Sequence, residues 1–228
     1  MKPVFYSFMV LLSLFTLLPA RETESAAAAG VRPGGDALMA APKQCKQGKT
    51  SPDNLGWRWR TSKPVRVYYL KNSFSADERE ALTRAVNNWN VALNEIGSRL
   101  RFITSGESES EVEEDASVWV MRGIPRGKDR VGQIRFYSMS NGVMRAVIII
   151  SPDVVALDAL TSLMAHEIGH SVGLADCYGC KRGTTAMAAF KSDNKGNDVF
   201  EPSACDKYMV ATGYALETEA QARLSILK

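Results

Sequence analysis

Two histidines and a glutamate lie close together in the second half of the chain. His166 and His170 are four residues apart, Glu167 directly follows the first of them, and the chain has only these 2 histidines. On a helix, positions i and i+4 share one face, so both imidazole rings can bind a single metal ion. A carboxylate beside the first ligand can accept a proton from metal-bound water. The spacing predicts a metal site, against the alternative of a helix with two buried, hydrogen-bonded histidines.

A glycine and an aspartate after the second histidine can complete the ligand set. A catalytic zinc site takes three protein ligands and leaves one position for water. Gly173 can adopt a positive φ, which ends the helix and turns the chain so that Asp176 comes back toward the metal. One Zn²⁺ ion is therefore predicted at His166, His170 and Asp176. Glu167 would act as general base and then as proton donor to the leaving amine.

The elements that must position these residues alternate between strand and helix patterns. The predicted strands are 64–70, 100–104, 117–121, 134–137 and 144–150, and the predicted helices are 75–97, 153–174 and 217–227. Asn141 and Gly142 are typical of a hairpin turn, which makes 134–137 antiparallel to its neighbour. This order predicts an α/β fold, with a mostly parallel twisted sheet, an antiparallel edge strand and two long helices packed on the sheet.

The N-terminal region has the composition of an export signal. Lys2 precedes an apolar stretch from Val4 to Leu18, which is short for a membrane span. We therefore expect a signal peptide at 1–26, cleaved between 20 and 29, and a secreted protein without a stable membrane anchor. Residues 27–60 are predicted to be a linker or short pro-segment, and 61–228 the metal-binding domain.

The charge of the chain argues against one class of partner. The formal net charge is +3, and the basic residues are scattered, so we expect no nucleic-acid partner. The one marked run of charge is acidic, from Glu107 to Asp115, and is predicted to be a solvated loop. Calcium binding there is an alternative, but the run lacks the alternating Asp or Asn and the glycine of a known calcium loop.

The four cysteines are expected to form disulfides, because their number is even and the protein is predicted to be exported. The preferred pairing is Cys180 with Cys205, which would close the loop after the metal motif, and Cys45 with Cys177. The exchange that pairs Cys177 with Cys205 stays open. A four-cysteine zinc site is the functional alternative, but Cys177 and Cys180 have no second close pair.

The stretch His-Glu-x-x-His-x-x-Gly-x-x-Asp at 166–176 resembles the signature of the metzincin metalloproteases in its aspartate-ligand form. Within that clan, the chain resembles most the snapalysins, which are small secreted neutral proteases. The likeness covers most of 61–228, but outside the motif it is an order of elements with weak local similarity. It implies a zincin-like metallopeptidase domain with a small C-terminal subdomain, which would hold a methionine turn and the final helix.

The resemblance also implies roles for individual residues. His166, His170 and Asp176 would be the zinc ligands, and Glu167 the catalytic acid and base. Metzincins place a methionine beneath the metal in a tight turn after the third ligand. Met187 follows Asp176 by eleven residues, which is close to the expected distance.

Three features depart from the family pattern. Ala189 stands where many metzincins have a tyrosine, and Tyr178 could reach the same region, either as an oxyanion helper or as a buried structural hydroxyl. The segment from Phe190 to Ala204 is longer and more polar than the equivalent snapalysin loop, where the pocket for the side chain after the cut should form. Cys45 could cap the zinc from a pro-segment, although its neighbours do not match the matrixin inhibitory motif.

The strand at 134–137 bears on the substrate. If it is the sheet edge above the metal, an extended peptide could pair with it, whereas the alternative is an ordinary edge strand protected by Arg135. We expect a secreted, monomeric zinc endopeptidase that acts on protein or peptide substrates. The alternatives are a metzincin-like binding protein without turnover and a non-haem iron oxygenase. An oxygenase has no need of Glu167 beside the first histidine.

Overall fold

A computed structural model of the protein describes residues 42–59, 62–139, 142–189 and 198–214. These residues belong to one compact unit that spans 37–228. In chain order the elements are β1 (Val65–Leu70), α1 (Ala76–Glu95), β2 (Phe102–Ser108), β3 (Ser117–Arg122), β4 (Gly132–Met139), β5 (Gly142–Ile150) and α2 (Leu157–Ser171). A third helix, α3, is described over residues 204–214.

The five strands form one sheet in the order β2-β1-β3-β5-β4. The first three pairs are parallel, and β4 runs antiparallel to β5, with Ile134 opposite Ile148. This confirms the predicted α/β fold with a mostly parallel sheet and an antiparallel edge strand, as expected of a zincin-like fold. Of the predicted hairpin turn, Asn141 lies outside the described residues and Gly142 begins β5.

Strand β5 is buried on both faces, as its continuous apolar run predicted. Ile148 and Ile150 belong to the main core with the helices. Val147 and Ile149 point to the other face, where they pack with Trp119. The side chains of a strand alternate between faces, so a strand enclosed by two layers must be apolar at nearly every position.

Helix α1 begins where the capping box predicted. The Ser75 N–H donates to Glu78 Oε2 at 2.7 Å, and the Glu78 N–H donates to Ser75 Oγ at 3.2 Å. The side chains at three- and four-residue steps face the core, and the Trp89 indole N–H donates to the Ala165 carbonyl at 2.7 Å. This buried bond fixes α1 against the helix that carries both histidines.

Helix α2 is shorter than the predicted helix at 153–174. The Val154 N–H donates to the Ser151 carbonyl at 3.2 Å, and this turn delays the helix until Leu157. At the other end the helix stops at Ser171.

The C-terminal region differs from the expectation. The predicted final helix at 217–227 lies outside the described residues, whereas α3 at 204–214 was not predicted. Its first turn is a capping box: the Asp206 N–H donates to Ser203 Oγ at 3.1 Å, and the Ser203 N–H donates to Asp206 Oδ2 at 2.9 Å. The Ser-x-x-Asp pattern was the sequence signal for this helix.

Residues 42–59 form an ordered segment, which we name the N-terminal strap. This part of the predicted linker or pro-segment packs on the fold, because Ser51 is buried and the Leu55 N–H donates to the Gly173 carbonyl at 2.7 Å. The predicted signal peptide and residues up to 41 lie outside the described residues, so the predicted cleavage and pro-segment bounds stay predictions. Within the described ranges, no helix is both long and apolar enough to cross a bilayer.

All four cysteines are in disulfides, but the preferred pairing is wrong. The bonds are Cys45–Cys205 and Cys177–Cys180. A tight turn brings the second pair together, since the Cys180 N–H donates to the Cys177 carbonyl at 3.2 Å. The strap then carries Cys45 to the start of α3. Because the thiols are used up, neither the four-cysteine zinc site nor a metal cap by Cys45 is available.

The acidic run is tied to the sheet and helix beside it. Its first residues belong to β2, so the prediction of a loop holds only for the later ones. Arg79 Nη1 lies 3.3 Å from Glu107 Oε1, and Arg145 Nη1 lies 3.6 Å from Glu111 Oε1. These ion pairs give the run a structural role.

Candidate metal centre

Helix α2 places both histidines and the glutamate in the lining of a cleft. His166 and Glu167 are buried, and the two imidazole ring centroids lie 4.6 Å apart. The four-residue step puts the rings one turn apart on the same face. The helical half of the predicted site is thus present.

The turn after α2 brings the third candidate ligand back to the rings. The Leu174 N–H donates to the Gly169 carbonyl at 3.1 Å, and the Gly173 N–H donates to the His170 carbonyl at 3.0 Å. These two bonds, with φ +96° at Gly173, define a Schellman helix end. The chain then reverses, and Asp176 faces the histidines as predicted.

Three potential ligand atoms converge at this point. Asp176 Oδ1 lies 3.0 Å from His166 Nε2 and 3.5 Å from His170 Nε2. All three atoms lie within 4.8 Å of one another. Ligands at zinc bond lengths in a tetrahedral arrangement are separated by about 3.3 Å, so the spacing fits one ion.

The hydrogen bonds of the two rings decide which nitrogens face the site. His166 Nδ1 lies 2.9 Å from the Ala186 carbonyl oxygen, and His170 Nδ1 lies 2.8 Å from the Leu174 carbonyl oxygen. A carbonyl can only accept, so both Nδ1 atoms carry the proton. A cation that displaced the Nε2 protons facing Asp176 would meet two ring lone pairs beside a carboxylate oxygen, which is the donor set that a cation requires.

The carboxyl of Asp176 is held in its ionised form. Burial acts to raise its pKa, but hydrogen bonds from His166 and His170 outweigh burial and hold the pKa well below its usual range. The Tyr178 hydroxyl donates to Asp176 Oδ2 at 3.1 Å, and its side chain is 79% exposed. The interpretation of Tyr178 as a buried structural hydroxyl is therefore wrong.

Glu167 has an oxygen with no partner. The side chain is 3% exposed, and within the described residues its Oε2 atom is buried without a hydrogen bond. Burial raises the pKa of this carboxyl. Gly132, at the start of β4, leaves room for it, since a Cβ there would lie 2.5 Å from Glu167 Oε1. An unpartnered carboxylate oxygen that lines a cleft is available to a water molecule or a substrate proton.

Met187 lies beneath the helix that carries the histidines. Its side chain is fully buried, and a Cβ on Gly169 would overlap its sulfur. The Cys177 N–H donates to the Met187 carbonyl at 2.7 Å, which closes the loop between Asp176 and the methionine. A glycine in α2 thus lets the methionine approach the floor of the site.

Sequence reasoning missed Asp206, which supports the site from α3. Its carboxylate accepts hydrogen bonds from the Ala186 N–H at 3.0 Å and from the Thr185 hydroxyl. The Ala186 carbonyl in turn accepts the His166 Nδ1 proton. Burial raises the pKa of Asp206, although the hydrogen bonds from Thr185, Ser203 and Ala186 act to lower it.

The centre opens into a cleft of about 780 Å³, within the size range of ligand sites. Both histidines, Glu167 and Asp176 line it, and β4 borders it. Its lining also includes the charged residues Lys128, Asp129 and Arg130 and the apolar residues Leu55, Trp57 and Phe136.

The chain matches no family model and no curated protein. Two solved structures with which it shares a partial likeness are a chaperone–substrate complex and myroilysin. The first is 12% identical, with a TM-score of 0.38 over 67% of this chain and 35% of the other, so the chain spans about a third of that protein. The second is 11% identical, with a TM-score of 0.40 over 76% of this chain and 88% of the other. Likenesses this weak say nothing about the site.

Proposed function

We propose that this protein is a secreted zinc-dependent endopeptidase that hydrolyses peptide bonds in protein or peptide substrates. The observation that carries the proposal is the convergence of three potential ligand atoms: Asp176 Oδ1 lies 3.0 Å from His166 Nε2 and 3.5 Å from His170 Nε2. Beside them lies Glu167, whose Oε2 atom has no hydrogen-bond partner among the described residues. The snapalysin-like motif and the cleft support the same conclusion.

Zinc is the metal that this donor set favours. Two imidazole nitrogens and one carboxylate oxygen form a three-ligand catalytic zinc site, with one position left open. The bound ion would lower the pKa of a water molecule and polarise the scissile carbonyl. A non-haem iron oxygenase uses a similar ligand set, but Glu167 would have no role in it.

Glu167 would move the proton in the reaction. As general base it would accept a proton from the attacking water on Oε2, and as general acid it would donate that proton to the leaving amine. The buried contacts of α2 fix its position. Tyr178 would orient Asp176 through its hydroxyl, which leaves both carboxylate oxygens engaged.

The edge strand β4 suits an extended substrate. It is the last strand of the sheet, and it borders the cleft from Gly132 to Phe136. A peptide in the cleft can therefore hydrogen-bond to the backbone of β4, as in other β-strand additions. The protein would act outside the cell as a monomer, and the two disulfides agree with that compartment.

The test is the Glu167→Gln variant, assayed for casein cleavage and metal content. Glutamine keeps the shape of the side chain but cannot accept the proton, so we expect activity to fall at least 100-fold, roughly the contribution of general acid–base catalysis. One zinc ion should stay bound per chain. The matched control is Glu80→Gln on the exposed surface of α1, which should keep full activity.

Other outcomes would contradict the proposal. Full turnover by Glu167→Gln would refute the role of the glutamate. If the wild-type protein binds zinc but cleaves neither casein nor peptides, the alternative of a binding protein is favoured. Turnover that survives a zinc chelator would exclude a metal-dependent reaction.

A further inference from the structure

The N-terminal strap forms one wall of the cleft. Its Asp53 carbonyl accepts from the Ala175 N–H at 2.8 Å, and its Leu55 N–H donates to the Gly173 carbonyl at 2.7 Å. The Trp57 indole N–H donates to the His170 carbonyl at 2.9 Å. The strap is therefore paired with the turn that leads to the third metal ligand.

The strap is built into the fold. Gly173 and Gly179 leave room for its backbone, because a Cβ at Gly173 would lie 2.5 Å from the Trp57 carbonyl oxygen and one at Gly179 would overlap that of Gly48. At its N-terminal end the Cys45–Cys205 disulfide holds it to α3. A segment held in this way is part of the cleft in the working protein.

Apolar side chains of the strap are exposed inside the cleft. Leu55 is 39% exposed and Trp57 is 37% exposed, whereas the other three tryptophans of the chain are buried. Phe136 of β4 packs against Trp57 in a tilted arrangement, with 4.7 Å between ring centroids. Exposed apolar groups beside polar, functional groups mark a place where a ligand is bound.

The position of this patch along β4 indicates which part of a peptide would contact it. Gly132, at the start of β4, lies against Glu167, and Phe136 is further along the strand. A peptide that pairs with the edge in the more stable antiparallel direction has its N-terminal half opposite the later part of β4. The charged residues Lys128 to Arg130 also line the cleft and precede β4 in the chain, so they would face its C-terminal half.

We propose that Leu55, Trp57 and Phe136 form a subsite that binds a large apolar side chain of the substrate on the N-terminal side of the cleaved bond. This inference rests on the proposed endopeptidase function. The strap thus contributes to specificity as well as to the support of the metal turn.

The test compares two peptides that differ only N-terminal to the cleaved bond, one with phenylalanine and one with glycine. The variant is Leu55→Asp, which changes an exposed side chain and keeps the backbone hydrogen bond to Gly173. We expect the wild type to prefer the phenylalanine peptide about tenfold or more in kcat/KM. Leu55→Asp should remove that preference by raising KM for the phenylalanine peptide.

Two further variants separate binding from support of the metal. Trp57→Phe keeps an apolar ring but loses the donor to the His170 carbonyl, so the preference should survive. The control Val155→Asp changes a side chain that is 70% exposed and absent from the cleft lining, and it should leave both peptides unaffected. An unchanged preference in Leu55→Asp, or one equally lost in Val155→Asp, would overturn the subsite.

Binding distinguishes failure of the subsite from failure of the proposed function. Trp57 is the exposed tryptophan, so its fluorescence in zinc-loaded Glu167→Gln can report peptide binding. Selective binding of the phenylalanine peptide without wild-type cleavage would keep the subsite and refute the peptidase. Cleavage without any apolar preference would keep the peptidase and refute the subsite. Absence of both selective binding and cleavage would refute both hypotheses.

Discussion

The metal centre has two halves that are built in different ways. His166, Glu167 and His170 lie within five residues on one helix, and α1 holds that helix through the bond from Trp89. Asp176 and Met187 lie on irregular chain instead. That second half is held from a distance, by the strap on one side and by α3 on the other.

The difference shows where the stability of the site resides. In the helix half, the relative positions of the residues follow directly from their separation in the sequence, because consecutive turns stack on one face. In the loop half, each position depends on partners far away in the chain, such as Asp53 for Ala175 and Asp206 for Ala186. Changes to those partners should therefore weaken the loop half and leave the helix half in place.

The largest effect is expected from the disulfide that anchors the strap. In the chain-entropy model, Cys45–Cys205 with a separation of 160 residues stabilises the fold by about 5 kcal/mol, and Cys177–Cys180 with a separation of 3 by about 2 kcal/mol. The double variant Cys45→Ser, Cys205→Ser should lower the free energy of unfolding by the larger amount, measured by denaturant titration.

Hydrogen exchange on the same variant sharpens the comparison. The Leu55 and Ala175 amides, which bond across the strap and the metal turn, should exchange faster, while the amides of α2 stay protected. The matched control is the double variant Cys177→Ser, Cys180→Ser. Equal losses of stability from the two pairs would show that the strap does not support the loop half.

The same division explains what the sequence could predict. The capping box of Ser75 and Glu78, the apolar run of β5 and the spacing of the histidines are local patterns, and each was confirmed. The turn at Gly173 was also predictable, because a glycine after the last helical residue is the usual helix end.

What was missed depends on distant contacts. The pairing of Cys45 with Cys205 links residues 160 apart, and four cysteines allow three pairings that spacing cannot separate. The strap has little sequence periodicity, and its backbone pairs with the turn after α2 and, at Arg58, with Val143 of β5. Asp206 did carry a local signal with Ser203, but its link to the metal site through Ala186 exists only in the folded chain.

The next largest effect is expected from Gly173→Ala, at the junction of the two halves. The residue has φ +96°, and a Cβ would lie 2.5 Å from the Trp57 carbonyl oxygen. The left-handed conformation costs about 1–2 kcal/mol, and the overlap with the strap adds about 1–3 kcal/mol. The variant should lose about 3 kcal/mol and retain zinc poorly after dialysis.

Gly97→Ala is the matched control. It has φ +69° after α1 and no atom within 4 Å of a new Cβ, so it bears only the conformational cost. Thermal unfolding of both variants therefore isolates the contact between strap and turn. If the two substitutions lower the melting temperature by the same amount, contact with the strap adds no steric cost at Gly173.

The smallest effect is a pH dependence in the loop half, at Asp206. Because burial raises the folded-state pKa of this carboxyl, the folded protein favours the protonated form. Its contribution to stability is then complete below the unfolded pKa and is lost as pH rises through the folded pKa. Asp206→Asn has no such titration, so its melting temperature relative to the wild type should increase with pH across that window.

Thr185→Val extends this prediction, because the Thr185 hydroxyl donates to Asp206 and stabilises its ionised form. Without that donor the folded pKa of Asp206 should rise further, and the window in which stability is lost should move to higher pH. A difference between Asp206→Asn and wild type that stays flat with pH would mean that the buried carboxylate is fully compensated by its donors. In that case α3 would support the metal turn at every pH, and the two halves of the centre would respond alike to acid.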